Sequence, residues 1–275
     1  MLQKPIVLSD ETFHQTFFSS YKSYVVLDKF YVNITHLDTV RKKFVYFASQ
    51  RTDEEIDNQT LLTILDQHFV TNQQQQINFY IVNSQVHIFP EPFFKEEQTH
   101  HIFDFVNGNE LYNHIIAQKA SYNTVIQFNV PDLWENVLKN FSHCNCYHHA
   151  HLLLYLSEWM TRKYNYKSSV FLHFHNNSFE VVVTQNNQLI LFNTYNFQHN
   201  DDVLYYVHWM VKSFELDIKQ NIFVLSGWVD KKGELIKKMK EFDFRIEWAK
   251  FNPHYIYSYR FNELQMHQFA TLFSV

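Results

Sequence analysis

The sequence predicts a mixed α/β protein made of two similar units in tandem, and three observations support this. Residues 168–227 contain three apolar runs separated by Asn-rich turns, then an amphipathic run and a fourth apolar run that ends at Gly227. Residues 24–82 repeat this order of elements. The chain has 275 residues, of which 46% are hydrophobic and 19% charged, so it can bury a sizeable core.

The first unit is predicted to begin with three strands. Residues 24–27 and 30–34 are expected to form a hairpin around Asp28 and Lys29, and residues 42–48 are a third strand rich in β-branched and aromatic residues. Residues 9–18 before them suggest a capped helical turn, because Ser and Asp side chains accept hydrogen bonds from free amides.

A helix and a return strand follow. The acidic residues 53–55 are expected to begin the helix, because negative charge near a helix N-terminus interacts favourably with the helix dipole. Apolar residues recur at helical spacing and form one face of this helix: Ile56, Leu61, Ile64, Leu65 and Phe69. Residues 73–76 are predicted as a polar loop and residues 77–82 as a strand, with which residues 85–89 are expected to pair.

Residues 90–131 are predicted to be an insertion. They contain a turn, a short helix to Val106 interrupted by Gly108, and two strands within residues 110–120 and 123–131. Two helices come next, over residues 131–141 and 148–164. The second has an expected buried stripe of Leu152, Tyr155, Leu156 and Trp159.

The second unit has the three strands described above, followed by a helix over residues 202–214 that Asn200 or Asp201 caps. The remaining predicted elements are a buried parallel strand at 222–227, a Lys-rich helix at 230–242, an edge strand at 244–249 and a terminal helix at 262–273.

Three strands in a meander, a crossover helix and a parallel strand form the mixed sheet of a ribonuclease H-like unit. Two such units in tandem are the architecture of actin-like ATPases. We expect one domain at residues 1–131, including the insertion, and a second at residues 132–275.

Several motifs occur in a distinctive order, most clearly within residues 75–275: PEPFF at 90–94, HHAHLLLY at 148–155, FNTYNFQHNDDVLYYV at 192–207, VLSGW at 224–228 and HQFATLF at 267–273. They resemble a bacterial family of uncharacterised proteins. That family is known for an actin-like ATPase fold and has no assigned activity. The resemblance therefore implies the fold and no reaction.

Composition limits the classes of function. The net charge of −5 implies no broad basic surface, so we expect no nucleic-acid partner. The N-terminus has no apolar core like that of a signal peptide, and no run approaches the ~20 apolar residues that span a bilayer. Cys144 and Cys146, the two cysteines, give no disulfide framework, which fits a reducing cytoplasm.

Actin-like ATPases hold phosphates between two β-turns, one per unit, in which a carboxylate holds Mg²⁺ and the amides of a Gly turn bind phosphate oxygens. Here the first turn has Asp28, but Phe30 stands near the position of Gly, and the whole chain has only three Gly. Asp28 is either a nucleotide contact or a hairpin-tip Asp.

The second turn is His175, Asn176, Asn177 and Ser178, with neither Asp nor Gly. Of the Gly residues expected in the adenosine loop, only Gly227 remains. If a nucleotide binds in an interdomain cleft, we expect Asp28, His175, Asn176, Ser178 and Gly227 to contact it. His173 lies on the same strand face as His175 and is either packed or part of this cleft.

A His/Cys cluster is the second candidate: His143, Cys144, Cys146, His148, His149 and His151. These residue types suit Zn²⁺, but there is no C-x₂-C pair. The main alternative is a helix N-terminus with a buried thiol and His side chains that cap or are solvated. A third interpretation makes Cys144 a nucleophile activated at that helix terminus.

The sequence therefore favours a degenerate, non-catalytic actin-like protein that binds a cytoplasmic protein partner or acts as a scaffold, with no cofactor. The aromatic residues are expected mostly in the core, but 17 Tyr are more than a core readily hides, and an exposed Tyr-rich patch would point to a protein interface. An ATP-binding protein, or an ATPase or kinase-like enzyme with an atypical phosphate site on Asp28, is the first alternative. A metal-binding module at 143–151 is the second.

Overall fold

The computed structural model describes residues 4–69, 76–108, 114–141 and 143–275. Contacts within the chain divide it into two compact units. Unit 1 is Met1–His151 with Pro253–Leu264, and unit 2 is Leu152–Asn252 with Gln265–Val275. The domain boundary expected at residues 131 and 132 stays a prediction. Most of the predicted polar loop 73–76 and the beginning of the predicted strand 110–120 lie outside the described residues.

Within the described residues, unit 1 has a seven-stranded mixed sheet. Its strands are β1 (Ile6–Ser9), β2 (Tyr21–Leu27), β3 (Tyr31–Asp38), β4 (Lys43–Arg51), β5 (Gln76–Ile81), β9 (Cys144–His148) and β15 (Ile256–Tyr257). Six of them lie in the order β1, β4, β3, β2, β5, β9, and β15 pairs with β4. Strands β2, β3 and β4 are antiparallel and β5 joins β2 in parallel, which confirms the predicted meander and return strand.

Helix α1 (Asn58–His68) connects β4 to β5, and its predicted apolar face is buried at Leu61, Ile64 and Leu65. The prediction that acidic residues 53–55 open this helix is wrong. Asp57 is the N-cap residue, and its side chain accepts a hydrogen bond from the Thr60 amide at 2.7 Å. Residues 52–56 instead lie along the β2–β3 turn.

The beginning of the chain also differs from its prediction. Strand β1 was not expected and pairs with β4, and the predicted helical turn is a 3₁₀ helix at Gln15–Ser20. Asp10 does not cap it. Its carboxylate accepts from the Thr12 amide at 3.0 Å and pairs with Lys43 at 2.8 Å, so it holds a turn against β4.

A second sheet of unit 1 contains β6 (Val86–Pro90), β7 (Ile115–Ala120) and β8 (Thr124–Asn129), with β8 in the centre. Both predicted insertion strands, β7 and β8, are confirmed. The expected pairing of residues 85–89 with β5 is wrong, because β2 and β9 already occupy both edges of β5. Helix α2 (Thr99–Asn107) ends at Gly108, and α3 (Asp132–Leu138) follows β8.

Unit 2 contains a five-stranded sheet in the order β12 (Gln188–Asn196), β11 (Ser178–Gln185), β10 (Ser168–Phe174), β13 (Ile222–Gly227), β14 (Arg245–Trp248). The first three strands are antiparallel, and β13 and β14 continue the sheet in parallel. This confirms the predicted order of elements. The β11–β12 turn has positive φ at Asn186 and Asn187, which suits a type I′ hairpin.

Unit 2 also contains most of α4 (Ala150–Tyr164), together with α5 (Asn200–Ser213) and α6 (Glu234–Glu241). Val203, Val207 and Met210 of α5 are buried in the core of the unit together with residues of the sheet. Tyr155 of α4 is 39% exposed, so its predicted place in the buried stripe is wrong. None of the helices in the described ranges combines the length and apolarity needed to cross a bilayer.

The predicted terminal helix over residues 262–273 is also wrong. A 3₁₀ helix spans Tyr259–Glu263, and α7 (Met266–Phe269) has only four residues. Leu264 and Gln265 between them have extended backbone, with ψ of 146° and 98°, which interrupts the helical hydrogen bonds.

Candidate functional site

The β10–β11 turn of unit 2 is the place at which the fold predicts a phosphate-binding turn. The His175 amide donates to the Ser178 carbonyl at 2.8 Å and closes the turn. Asn176 and Asn177 are exposed at its tip, and Ser178 is half-buried. Neither Asn has the positive φ that a Gly turn uses to direct successive amides at one phosphate.

Four buried polar residues lie at the base of this turn, and we call them the His–Glu group: His173, His175, Glu180 and Ser226. None is more than 3% exposed. His173 stands opposite Glu180 on β11 and opposite Ser226 on β13, so strand register brings the group together.

The geometry of the His–Glu group pairs an imidazole with a carboxylate. His175 Nε2 lies 3.4 Å from Glu180 Oε2, and His173 Nδ1 lies 2.9 Å from Ser226 Oγ. The two imidazole rings are 4.8 Å apart and nearly perpendicular. A buried carboxylate is expensive unless a cation or proton compensates it. This environment favours a proton or a cation and opposes a phosphate.

Gly227, the predicted nucleotide contact at the end of β13, has a structural reason to be glycine. Its φ is +79°, and a Cβ at this position would lie 2.2 Å from the Phe174 carbonyl oxygen. The Trp228 amide donates to the same oxygen at 2.8 Å. Close approach of β13 to the backbone of β10 therefore excludes every side chain here.

Asp28, the candidate in unit 1, is only 7% exposed. Its Oδ1 accepts a hydrogen bond from the Phe30 amide at 2.8 Å, which is an Asx turn. The Thr52 amide donates to the Phe30 carbonyl at 2.9 Å, so residues 52–56 hold the same turn. The Asp28 carboxylate thus stabilises its own hairpin and occupies an amide that a phosphate site needs.

The two cysteines lie on a strand and not at a helix N-terminus, so the expected location is wrong. Cys144, Cys146 and His148 are alternate residues of β9 and therefore point to one face of the sheet. Burial raises the pKa of the Cys144 thiol. Burial and the neighbouring Cys144 raise the pKa of Cys146 to about 12. A nucleophile must be a thiolate, so the raised pKa values oppose a nucleophilic role for either cysteine.

The histidines of this segment have several roles. His148 Nδ1 accepts from the Ala150 amide at 3.0 Å, and its Nε2 donates to the Asn83 carbonyl at 2.9 Å, so His148 caps α4 as one alternative predicted. Burial lowers the pKa of His151 to about 4. The His149 amide donates to the Ile81 carbonyl, and His143 is exposed. Metal binding by this cluster stays a prediction.

Sequence reasoning missed Glu180 and Ser226. The signal for Glu180 was present, because it is a single charged residue between Phe179 and Val181 in a strand that is buried on both faces. Such a residue needs a partner, and His173 and His175 on the preceding strand were the nearest candidates. Ser226 carries no comparable signal.

Comparison with solved structures supports the fold. The protein is similar to a Bacteroides thetaiotaomicron protein with an actin-like ATPase fold and unknown function, with a TM-score of 0.72 and 16% identity over 86% of this chain and 93% of that one. It is also similar to a PilM–PilN type IV pilus biogenesis complex, with a TM-score of 0.65 and 8% identity over 92% and 96%. These similarities confirm the predicted α/β actin-like, ribonuclease H-like fold. No curated protein sequence matches significantly.

A family model also matches residues 10–244, which is most of the chain. Its description, a protein of unknown function, agrees with the resemblance found in the sequence motifs. The chain therefore belongs to the DUF3822 family of proteins of unknown function.

Proposed function

We propose that this protein is a non-catalytic member of the actin-like fold that acts in the cytoplasm by binding another protein. The observation that carries the proposal is the His–Glu group at the β10–β11 turn. The completely buried Glu180 carboxylate lies 3.4 Å from His175, at the base of the turn that the fold family uses for phosphate. This turn has neither the Asp nor the Gly of a phosphate site, and a buried imidazole–carboxylate pair occupies its base.

The first turn supports the same proposal. In a phosphate site the carboxylate of the turn holds Mg²⁺ and leaves the turn amides free. Here Asp28 accepts from the Phe30 amide within its own turn. Both turns are therefore built for the stability of the hairpins.

Calorimetric titration with Mg-ATP tests the proposal, and we expect no binding and no hydrolysis. The melting temperature measured at increasing Mg-ATP concentrations is an independent test, and we expect it to stay constant. Ligand at 100 times its Kd adds about 2.7 kcal/mol of stability, which raises the melting temperature by roughly 5 °C for a chain of this size. Micromolar binding with turnover would overturn the proposal in favour of an ATPase or kinase-like enzyme.

Two variants of Asp28 separate the structural role from a nucleotide role. Asp28→Asn keeps an oxygen for the Asx turn, whereas Asp28→Ala removes it. We expect Asp28→Ala to lower the free energy of unfolding by about 1 kcal/mol or more, and Asp28→Asn to lower it by less. An enzyme built on Asp28 would instead lose hydrolysis in both variants while the melting temperature stayed constant.

Elemental analysis of the purified protein tests the metal-binding alternative. We expect no stoichiometric zinc, because both ring nitrogens of His148, which shares a strand face with the two cysteines, are already hydrogen-bonded to backbone groups. One tightly bound Zn²⁺ per chain that is lost in Cys144→Ala would establish a metal module in its place.

A further inference from the structure

A depression with aromatic walls lies where the chain passes from β12 into α5 of unit 2. Its volume is about 230 Å³, and the residues that line it include Phe197, Asp202, Tyr205 and Tyr206. Pockets for cofactors and drug-sized ligands begin at about 300 Å³. The depression is therefore of a size to take one long side chain of another protein.

Two tyrosine rings form adjoining walls of the depression. The Tyr206 ring is stacked on that of Tyr195, with 4.3 Å between the ring centroids, so its position is fixed by packing. The Tyr205 ring lies 5.4 Å from the Tyr206 ring at an angle of 70°, and Tyr205 is 67% exposed. The face of an aromatic ring is electronegative and attracts a cation. These walls therefore suit a positively charged group.

Asp202 adds a negative charge to the depression. Its Oδ2 accepts hydrogen bonds from the Gln198 and His199 amides at 2.9 and 3.0 Å, and these bonds lower the pKa of the carboxyl, so it is ionised at neutral pH. Its full charge exceeds the roughly half positive charge of the α5 N-terminus. Lys238 of α6 pairs with Asp201 at 2.7 Å, and no Lys or Arg of the described residues pairs with Asp202. The depression is therefore electronegative.

Other aromatic rings of unit 2 already have a cation from this chain. Lys250 Nζ lies 4.5 Å from the centroid of the Tyr164 ring, and Lys231 Nζ lies 5.1 Å from that of Trp248. In the part of the chain that the structure describes, no Lys or Arg lies over the Tyr205 ring. The depression thus combines an aromatic face with a carboxylate and lacks the cation that both would bind.

We propose that this depression binds an arginine side chain of the protein partner. A guanidinium is planar, so it stacks on the Tyr205 ring while its N–H groups donate to Asp202, whereas a lysine ammonium has no plane to stack. Trp209 is 46% exposed one turn further along α5 and offers an apolar contact for the residues beside the arginine. The inference rests on the proposed function, because it gives the chemistry by which the partner is recognised.

Binding of a short peptide tests the proposal. The probe is a pentapeptide with arginine at its centre and Gly and Ser around it. Its matched control has citrulline, which keeps the planar group and has no charge. Saturation-transfer NMR should give a Kd on the order of millimolar for the arginine peptide and at least about tenfold weaker binding for citrulline. Equal binding of the two peptides, or none at about 20 mM, overturns the proposal.

Variants of the chain test the location. Asp202→Asn keeps an oxygen for the two amides and removes the charge, so it should retain the fold by circular dichroism and bind the arginine peptide about tenfold more weakly. Tyr205→Leu should weaken binding and Tyr205→Phe should not. Tyr164→Leu is the matched control, because Lys250 already covers that ring. Full binding by Asp202→Asn or Tyr205→Leu, or a loss in Tyr164→Leu, rejects this site.

The titration with Mg-ATP keeps the failure of this site separate from the failure of the proposed function. Nucleotide binding with turnover overturns the proposed function, whatever the arginine peptide does. Failure of the arginine peptide in a protein that also does not bind Mg-ATP overturns the arginine site alone.

Discussion

At the scale of single residues, Glu180 and His175 determine the chemistry at the base of the β10–β11 turn of unit 2. Glu180 is completely buried, and its compensation includes the His175 imidazole at 3.4 Å. A carboxylate in this position is retained only where a partner offsets its desolvation. A backbone hydrogen bond from the His175 amide to the Ser178 carbonyl closes the turn above this pair, without Asp or Gly.

Removing one partner should therefore destabilise unit 2. We expect His175→Ala to cost about 3 kcal/mol of unfolding free energy, because it weakens the compensation of a buried charge. The double variant His175→Leu, Glu180→Leu should be more stable than His175→Ala alone, because it removes the charge as well. Urea denaturation measures both. With the single variants His175→Leu and Glu180→Leu measured as well, additive losses in this double-mutant cycle would show that the two side chains do not interact.

The glycines provide a matched pair of substitutions at the residue scale. Gly227 and Gly108 both have positive φ, +79° and +85°, but a Cβ at Gly108 would meet no atom within 4 Å. Gly108→Ala should cost about 1 kcal/mol for its backbone conformation. Gly227→Ala adds a clash with the Phe174 backbone, so we expect a loss of more than about 3 kcal/mol. A thermally stable Gly227→Ala protein would contradict the packing explanation.

At the scale of elements, strand β9 determines the chemistry of its two cysteines. A helix N-terminus lowers the pKa of a thiol, whereas burial on a strand raises it. Cys144 and Cys146 lie half-buried on β9 and have the second environment.

The expected consequence is low thiol reactivity in the folded protein. With its pKa raised to about 12 from the ordinary value of 9.0, Cys146 should have a thiolate fraction about 1000-fold below that of a free cysteine at pH 8. Alkylation by iodoacetamide should be slow in the native protein and fast in urea, as mass spectrometry can measure site by site. Fast native labelling of Cys146 would rule out this burial and reopen the nucleophile interpretation.

At the scale of the whole molecule, buried histidines should make stability depend on pH. Burial lowers the pKa of His36 to about 3 and of His151 to about 4, from an ordinary value of 6.5. At a pH between the folded pKa and the ordinary value of 6.5, the histidine is neutral in the folded protein and protonated in the unfolded one, so unfolding takes up a proton. The stability that the neutral imidazoles contribute is complete above pH 6.5 and is lost as the pH falls towards 3 to 4.

From pH 8 to pH 5.5 each of these two histidines should remove about 1.4 kcal/mol of unfolding free energy, so together they remove about 3 kcal/mol. Urea unfolding across this range measures it. His36→Phe abolishes one titration and keeps the stacking with Phe13 and Tyr46, so its stability should fall less steeply with acid. Equal slopes for wild type and variant would contradict the assignment to His36.

The sequence by itself determined the order of elements in both units. Strand, turn and helix signals are local, so the meanders of β2–β4 and β10–β12, their crossover helices and the return strands β5 and β13 follow from alternation, apolar spacing and turn residues. The sequence also indicated that the turn from His175 to Ser178 lacks the residues of a phosphate site.

Only the tertiary structure decided what depends on distant neighbours. Strand β6 pairs with β8 because both edges of β5 are occupied, and β9 forms because residues 144–148 meet β5. The His–Glu group exists because strand register places Glu180 opposite His173. The role of Gly227 depends on a carbonyl 53 residues earlier in the chain, that of Phe174. Pairing, register and burial are interactions between segments far apart in sequence, and local patterns do not encode them.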